Sequence, residues 1–306
     1  MLTEALLFVG GLALLIAGAD RVVTSAAELA LYYGVSTFFI GVTAVAVGTS
    51  IPEITTSILA ARMGAGDLVV GNIVGSETAQ ITLAVGVVAL VAPVVAERRN
   101  VAIYGGAVML SMVVMVLTLE DGRIVRSEGV LMMLAYAMFL HDLYTSEGGA
   151  EVGEEIADER EPPRATVPWI VLGLGMVVVG GHLMVTGGVA LARLVGVSEY
   201  LVGLLTGLGT TVPEIVVAGV AARHGDAGIS VGSLLGSNIT DPVFSLGAGA
   251  IVADVVVTDL PGVTTSLTYM LVVSAGVLGV VYWRRGVDRR LAVVCLALYL
   301  PTFALG

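Results

Sequence analysis

Apolar residues in this chain run in long unbroken blocks instead of alternating. Stretches near the roughly 20 residues needed to cross hydrocarbon recur from end to end. Hydropathy predicts spans at 3–20, 36–62, 68–95, 101–119 and 124–144, and a second set at 167–189, 198–223, 228–253, 262–283 and 290–305. The first block, Leu2 to Ala19 with Glu4 near its start, lacks a basic leader and a small-residue cleavage site. It reads as a membrane helix and not as a removable signal. Between the sets lies an acidic stretch, Thr145 to Thr166, with Glu147, Glu151, Glu154, Glu155, Asp158, Glu159, Glu161, Pro162 and Pro163. That composition predicts a solvated linker, without the spacing of a Ca²⁺-binding loop.

The two sets repeat each other. Gly48 to Glu53, GTSIPE, returns as Gly209 to Glu214, GTTVPE, and Gly71 to Ser76, GNIVGS, returns as Gly232 to Ser237, GSLLGS. Both blocks are offset by 161 residues, whereas Gly34-Val35-Ser36 and Gly196-Val197-Ser198 are offset by 162. One residue is therefore missing from the second copy between Gly203 and Gly209. Five spans per copy is an odd number, so the second copy enters the membrane from the opposite side. The expected architecture is an all-α membrane protein of ten helices in two inverted five-helix repeats, 1–144 and 167–306, joined by the linker 145–166. The core motifs fall at 41–80 and 203–241.

Composition supports the membrane reading. Residues are 57% hydrophobic and 13% charged, with a mean hydropathy of +0.99, against about 25% charged in soluble domains. All 14 basic residues are Arg, and the formal net charge is −11. A basic nucleic-acid footprint is absent. With the N-terminus outside, ten Arg lie on the cytoplasmic side and four (Arg62, Arg123, Arg126, Arg193) outside, as the positive-inside rule requires. This predicts a multi-pass cell-membrane protein with extracellular termini and a cytoplasmic linker. Cys295 is the single cysteine, so neither an internal disulfide nor a Cys-based metal site is expected. His141, His182 and His224 sit near predicted span ends, and no H-E-x-x-H motif occurs. No enzymatic activity and no cofactor are expected.

Chemistry concentrates in spans 2, 3, 7 and 8, which carry Glu53, Glu77, Glu214 and Asp241 deep in apolar sequence. A carboxylate at mid-membrane costs about 2.5–3.5 kcal/mol on the lenient insertion scale, so four of them need cationic company. Pro52 has no N–H and breaks the helix, which predicts freed carbonyls around Ala46, Val47 and Thr49 beside the Thr49, Ser50 and Glu53 side chains. Pro213 predicts the same at Gly207, Thr210, Thr211 and Glu214. In the second motif, Gly71/Gly75 and Gly232/Gly236 have the spacing of closely packed helices. Asn72, Ser76 and Gln80 form a polar row matched by Ser233, Ser237 and Asp241. Oxygen ligands without imidazole or thiolate suit Na⁺, Ca²⁺ or Mg²⁺.

These motifs resemble those of the cation/Ca²⁺ antiporter superfamily, particularly its prokaryotic Na⁺/Ca²⁺ exchangers, whose repeats carry G-T-S-x-P-E followed by G-N-x-x-G-S-N. The resemblance covers both repeats. It implies a secondary antiporter exchanging Na⁺ for Ca²⁺ by alternating access, with spans 1 and 6 sliding across the ion-holding core. It further implies that Glu53 and Glu214 hold Ca²⁺ with the carbonyls of Thr49 and Thr210. Na⁺ would use Ser50, Thr211, Ser76 and Ser237 with the carbonyls of Ala46 and Gly207, and Asp241 would line the central site. Three departures stand out. Thr211 replaces Ser, Gln80 replaces the usual Asn, and Glu77 stands where Asn is usual, opposite Asn238. Glu77 leaves open a cation/H⁺ or Mg²⁺-type antiporter on the same fold; an ion channel is the remaining alternative.

Overall fold

The computed structural model describes residues 2–147, 166–194 and 199–302. The expected linker lies outside the described residues except at its two ends, where helices replace it. The chain is helical almost throughout. Helix α1 is Leu2–Tyr33; α2 is Thr37–Thr49 and α3 is Ile51–Arg62; α4 is Gly66–Val91; α5 is Arg98–Thr118; α6 is Arg126–Glu147. Then follow α7 (Thr166–Leu194), α8 (Glu199–His224), α9 (Ala227–Thr240 continued by Asp241–Ser245 and Leu246–Val252), α10 (Leu260–Arg284) and α11 (Arg289–Tyr299).

Five described helices are long and apolar enough to cross a membrane, namely α1, α4, α5, α10 and Thr166–Gly188 of α7; the bent pair α2/α3 makes a sixth. Helix α9 falls short of the same measure because Ser233, Ser237, Asn238, Thr240 and Asp241 lower its hydropathy. α1, at 32 residues, is about 48 Å long and overruns a ~30 Å hydrocarbon core. It therefore extends well past the predicted end at residue 20 and carries Asp20, Arg21 and Glu28 on its last turns.

α1 and α7 form an antiparallel pair whose backbones touch. A Cβ on Gly18 would lie 2.7 Å from the Gly173 carbonyl oxygen, and one on Gly180 would lie 2.5 Å from the Leu15 nitrogen. Glycine is required at these points because any side chain would force the two backbones apart. The pair is fixed further at one end by Arg21, which stacks 4.6 Å over the Trp169 ring.

Four two-residue strands tie the halves together. β1 (Val94–Val95) pairs antiparallel with β4 (Gly286–Val287), and β2 (Arg123–Ile124) with β3 (Val255–Val256). The first clasp is extended by Ala96 N–H donating to the Arg285 carbonyl (3.1 Å), and the second by Val257 N–H donating to Gly122 (2.8 Å). Arg123 and Asp254 close the second clasp with an ion pair. The main apolar core, including Met112, Met115, Leu246 and Met270, fills the space among α4, α5, α6, α9 and α10.

Candidate ion-binding site

The polar centre is built where α2/α3, α4, α8 and α9 meet. Pro52 stands at the start of α3, and Ser50 leaves helical geometry (φ −76°, ψ 4°), so α2 and α3 meet at a 43° bend. The expected helix break is present here. The second copy differs, because α8 runs as one helix through Pro213. A proline inside a helix removes one hydrogen bond but need not unwind it. The Ala46 carbonyl, expected to be freed, is occupied: it accepts from Ser50 N–H (3.0 Å) and from the Thr49 hydroxyl (3.1 Å). The missing N–H of Pro52 would have served Gly48, four residues earlier, rather than Ala46. Gly207 falls within α8, and its surroundings lie outside the described residues.

Two π-helical turns aim the next pair of side chains. They span Gln80–Ala84 in α4 and Asp241–Ser245 in α9, each beginning on a predicted site residue. Such turns occur frequently at functional sites. Gln80 Nε2 donates to Asp241 Oδ2 at 3.0 Å and to Ser76 Oγ at 3.1 Å. Ser76 donates to Glu53 Oε1 (3.0 Å), and its hydroxyl lies 3.3 Å from that of Thr211. The Thr49 and Ser237 hydroxyls approach to 3.5 Å. Thr49 also lies near the Glu214 carboxyl, and Thr210 near that of Glu53, so each repeat supplies hydroxyls to the other's acid.

The predicted side chains Thr49, Ser50, Glu53, Ser76, Glu77, Gln80, Thr211, Glu214, Ser237 and Asp241 are all buried. Among the described residues, Glu53, Glu77, Glu214 and Asp241 form no ion pair with a cationic side chain. Several polar atoms there lack a hydrogen-bond partner: Ser50 Oγ, Glu53 Oε2, Gln80 Oε1, and both oxygens of Glu77 and Glu214. Buried oxygens left this way are costly unless a cation or water meets them. No three carboxylate, imidazole or thiolate side chains among the described residues converge closely enough to hold a metal by themselves. Any ion here therefore leans on hydroxyl, amide and carbonyl oxygens as well as carboxylates.

The second motif's glycines behave differently in the two copies. A Cβ on Gly232 would lie 2.6 Å from the Phe38 carbonyl oxygen, and one on Gly236 would lie 2.6 Å from that of Val42, so α9 packs tightly on α2. Gly71 and Gly75 do not make the expected close approach, since a Cβ on either meets nothing within 4 Å. They line a cavity of about 270 Å³ between α4 and α10, bounded by Gly262, Ser266 and Tyr269.

Some residues of the centre have no counterpart in the sequence reading. Ser245 donates to Asp241 Oδ1 at 2.9 Å, and the Tyr136 hydroxyl lies 3.0 Å from that of Thr240, beside Asp241 in sequence. Ser57 is buried with an unpartnered hydroxyl one turn after Glu53. The i,i+4 spacings of Glu53/Ser57 and Asp241/Ser245 were the available signal. Tyr136 had none, because it comes from α6.

Comparison with known proteins agrees with this geometry. The family model described as sodium/calcium exchanger protein matches residues 3–143 and 166–303. A protein of Alkalimonas amylolytica named putative antiporter CaxA is 33% identical over 262 residues, covering 83% of this chain and 82% of that protein. The sodium/calcium exchanger MaX1 of Methanosarcina acetivorans is 29% identical over 283 residues, covering 78% and 79%. The solved sodium-calcium exchanger NCX_Mj, soaked with zero Na⁺ and Ca²⁺, superposes with a TM-score of 0.83 at 26% identity, covering 99% of both chains.

Proposed function

This chain belongs to the sodium/calcium exchanger family, and on that premise we propose that it exchanges Na⁺ for Ca²⁺ at the buried centre between its two repeats. It is a membrane antiporter working by alternating access. The observation that carries the site assignment is the burial of Glu53 and Glu214, without a cationic side chain, among hydroxyls contributed by the opposite repeat.

The chemistry follows from charge. A buried carboxylate with no partner is unstable by several kcal/mol, so the centre favours occupation. Ca²⁺ takes six to eight oxygens and neutralises two carboxylates at once. Na⁺ ions, weaker individually, satisfy the same charge as a group. Neither ion shares the site comfortably with the other, and that exclusion couples their movements. In this reading Glu53 and Glu214, with the carbonyls of Thr49 and Thr210, hold Ca²⁺. Ser50, Ser76, Thr211 and Ser237, with the carbonyl of Gly207, serve Na⁺, and Gln80 and Asp241 line the middle; the Ala46 carbonyl, already accepting two hydrogen bonds, is left out of the set.

The two repeats, 1–144 and 167–306, are inverted relative to each other in this proposal, giving ten spans. The strand clasps support the inversion. β1 follows the third span of its repeat, whereas β4 lies between the fourth and fifth spans of the other; these positions share a membrane face only if one repeat is upside down. The same holds for β2 and β3. The Arg distribution supports extracellular termini and a cytoplasmic linker. The bend at Ser50 against the unbroken α8 supports a centre with two inequivalent sides, as alternating access needs.

The test is ⁴⁵Ca²⁺ uptake into Na⁺-loaded liposomes diluted into Na⁺-free medium. Uptake that requires the Na⁺ gradient and is lost in Glu53→Gln supports the proposal. Uptake driven by an imposed pH gradient alone would overturn the coupling ion.

A further inference from the structure

The β1–β4 clasp gathers charge as well as backbone. Pairing Val94 with Val287 and Val95 with Gly286 brings the start of α5 beside the turn between α10 and α11. Arg98 and Arg99 come from the first, and Arg284, Arg285, Arg289 and Arg290 from the second. Six of the chain's 14 Arg thus stand at one corner, against two acids, Glu97 and Asp288. The positive-inside rule asks for basic residues on this face of the membrane, but not for their concentration. The linker assigned to the same face carries seven acids and two Arg, so the face is polarised.

The fold occupies few of these charges. Arg98 donates to the carbonyls of Tyr282 and Trp283, both at 3.3 Å, and lies 5.7 Å from the centre of the Tyr282 ring. Arg284 reaches Asp288 at 3.8 Å. Arg99, Arg285, Arg289 and Arg290 are exposed and form no ion pair among the described residues. Helix stability does not call for them. Arg99, Arg289 and Arg290 lie in the first turns of α5 and α11, whose positive ends disfavour cations. Arg285 takes φ 61° and is the one non-glycine residue with positive φ among the described residues, at a place where Gly would sit without strain.

A cavity of about 390 Å³ opens beside the clasp, lined by Arg284 and Arg285 together with Pro93 and Val95. Val95 and Trp283 are 73% and 74% exposed, apolar surface at the level where span ends meet the headgroups. We propose that this corner binds an anionic phospholipid of the cytoplasmic leaflet, its phosphate among Arg99, Arg284, Arg285, Arg289 and Arg290 and its acyl chain against Val95 and Trp283. The bound lipid bridges the two repeats, because Arg99 belongs to one and the other four to the second. The leaflet follows from the topology proposed above; the corner is independent of which ions are exchanged.

The experiment places the full chain carrying Trp169→Phe, which leaves Trp283 as the only tryptophan, in phosphatidylcholine vesicles. Brominated-chain phosphatidylglycerol or brominated-chain phosphatidylcholine is then titrated in and Trp283 quenching followed. Phosphatidylglycerol should quench at a mole fraction lower by about 5-fold or more, the preference that one Arg confers at an anionic membrane surface. In the triple variant Arg99→Gln, Arg285→Asn, Arg289→Gln the ratio should fall to about 1; Asn at 285 tolerates the left-handed backbone. Arg99→Gln and Arg289→Gln tested singly should each reduce it, so the proposal stays testable if the triple variant does not fold. Arg62→Gln, on the opposite face, should leave it unchanged. Equal quenching by the two lipids overturns the proposal, as does a preference that survives the triple variant or is lost equally in Arg62→Gln. Displacement of the lipid by inorganic phosphate at constant ionic strength would assign the corner to a soluble anion and overturn it too. A preference that emerges only when Glu154, Glu155 and Glu159 are replaced by Gln would give the corner to the acidic linker instead of a lipid.

Discussion

The side-chain amide of Gln80 donates to the carboxylate of Asp241 at 3.0 Å, and the two residues stand 161 positions apart, the offset that also relates Glu53 to Glu214. Equivalent positions of the two repeats thus touch at the middle of the molecule. The bond is charge-assisted, a class worth about 1.5–3 kcal/mol. Gln80→Ala leaves Asp241 Oδ2 without that donor. The expected result is a lower melting temperature in ion-free detergent and partial recovery when Ca²⁺ is added. Equal loss with and without Ca²⁺ would mean that the pair acts only in packing.

Ser76 is the hub of the centre, joining Glu53, Gln80 and Thr211. Ser76→Ala removes one donor to Glu53 and one proposed ion oxygen while keeping the volume. Apparent Ca²⁺ affinity in transport should weaken about 10-fold, equivalent to about 1.4 kcal/mol, with protein yield unchanged. Ser76→Thr keeps the hydroxyl and should recover most of the loss. If the two variants behave alike, the hydroxyl is not the operative group.

Much of this centre was legible in sequence for a physical reason: polar side chains inside apolar spans are costly, so those that remain stand out. Glu53, Ser76, Glu214 and Asp241 were identifiable this way, and the constant offset foretold that they meet. Two-residue strands have no periodicity to read, and β1–β4 and β2–β3 were invisible for that reason. The glycine spacing was misleading at Gly71 and Gly75, because a small residue permits close approach without demanding it. Pro213 was read as a helix break, but a proline's local penalty is fixed by sequence whereas the neighbours that absorb it are not.

The α1–α7 contact makes a prediction with an internal control. A methyl group on Gly180 would sit 2.5 Å from the Leu15 nitrogen, whereas one on Gly175 meets nothing within 4 Å. Gly180→Ala should lower turnover several-fold and the melting temperature with it, because backbone, unlike a flexible side chain, cannot move aside. Gly175→Ala should be near neutral or slightly stabilising, since Ala favours helix over Gly by up to ~1 kcal/mol. ⁴⁵Ca²⁺ flux and melting of the pair of variants would decide it; equal effects would refute the packing argument.

The Arg123–Asp254 clasp gives a pH dependence. Hydrogen bonding from the Arg123 guanidinium holds the Asp254 carboxyl below its ordinary value of 3.8. A group whose folded-state value is depressed stabilises the fold above its unfolded value and loses that contribution as pH falls through the folded one. The clasp should therefore be intact at neutral pH and weaken only below about pH 4, in the window where free aspartates protonate. Asp254→Asn should make thermal melting less steep against pH in that acidic window and leave the slope above pH 5 unchanged. A change in slope near neutrality would assign the effect to another group.

Pro52 supplies the last prediction, because it separates the cause of the bend from its consequence. Pro52→Ala restores an N–H that can reach the Gly48 carbonyl, which favours continuing α2 straight into α3. The bend is 43° at Ser50, and Ser50 N–H already bonds Ala46, so half of the helical connection is present. If the proline alone holds the bend, the variant straightens. Spin labels placed at Leu59 and Ala89, one on α3 and one on α4, should then report a longer distance, and Na⁺-driven ⁴⁵Ca²⁺ uptake should fall about 10-fold as Glu53 swings away from Ser76. If the distance is unchanged, the packing of α3 against α9, where a Cβ on Gly249 would lie 2.9 Å from the Ser57 carbonyl oxygen, holds the bend without the proline. Uptake should then survive, and the proline's role would be confined to leaving the Gly48 carbonyl without its helical donor beside the ion site.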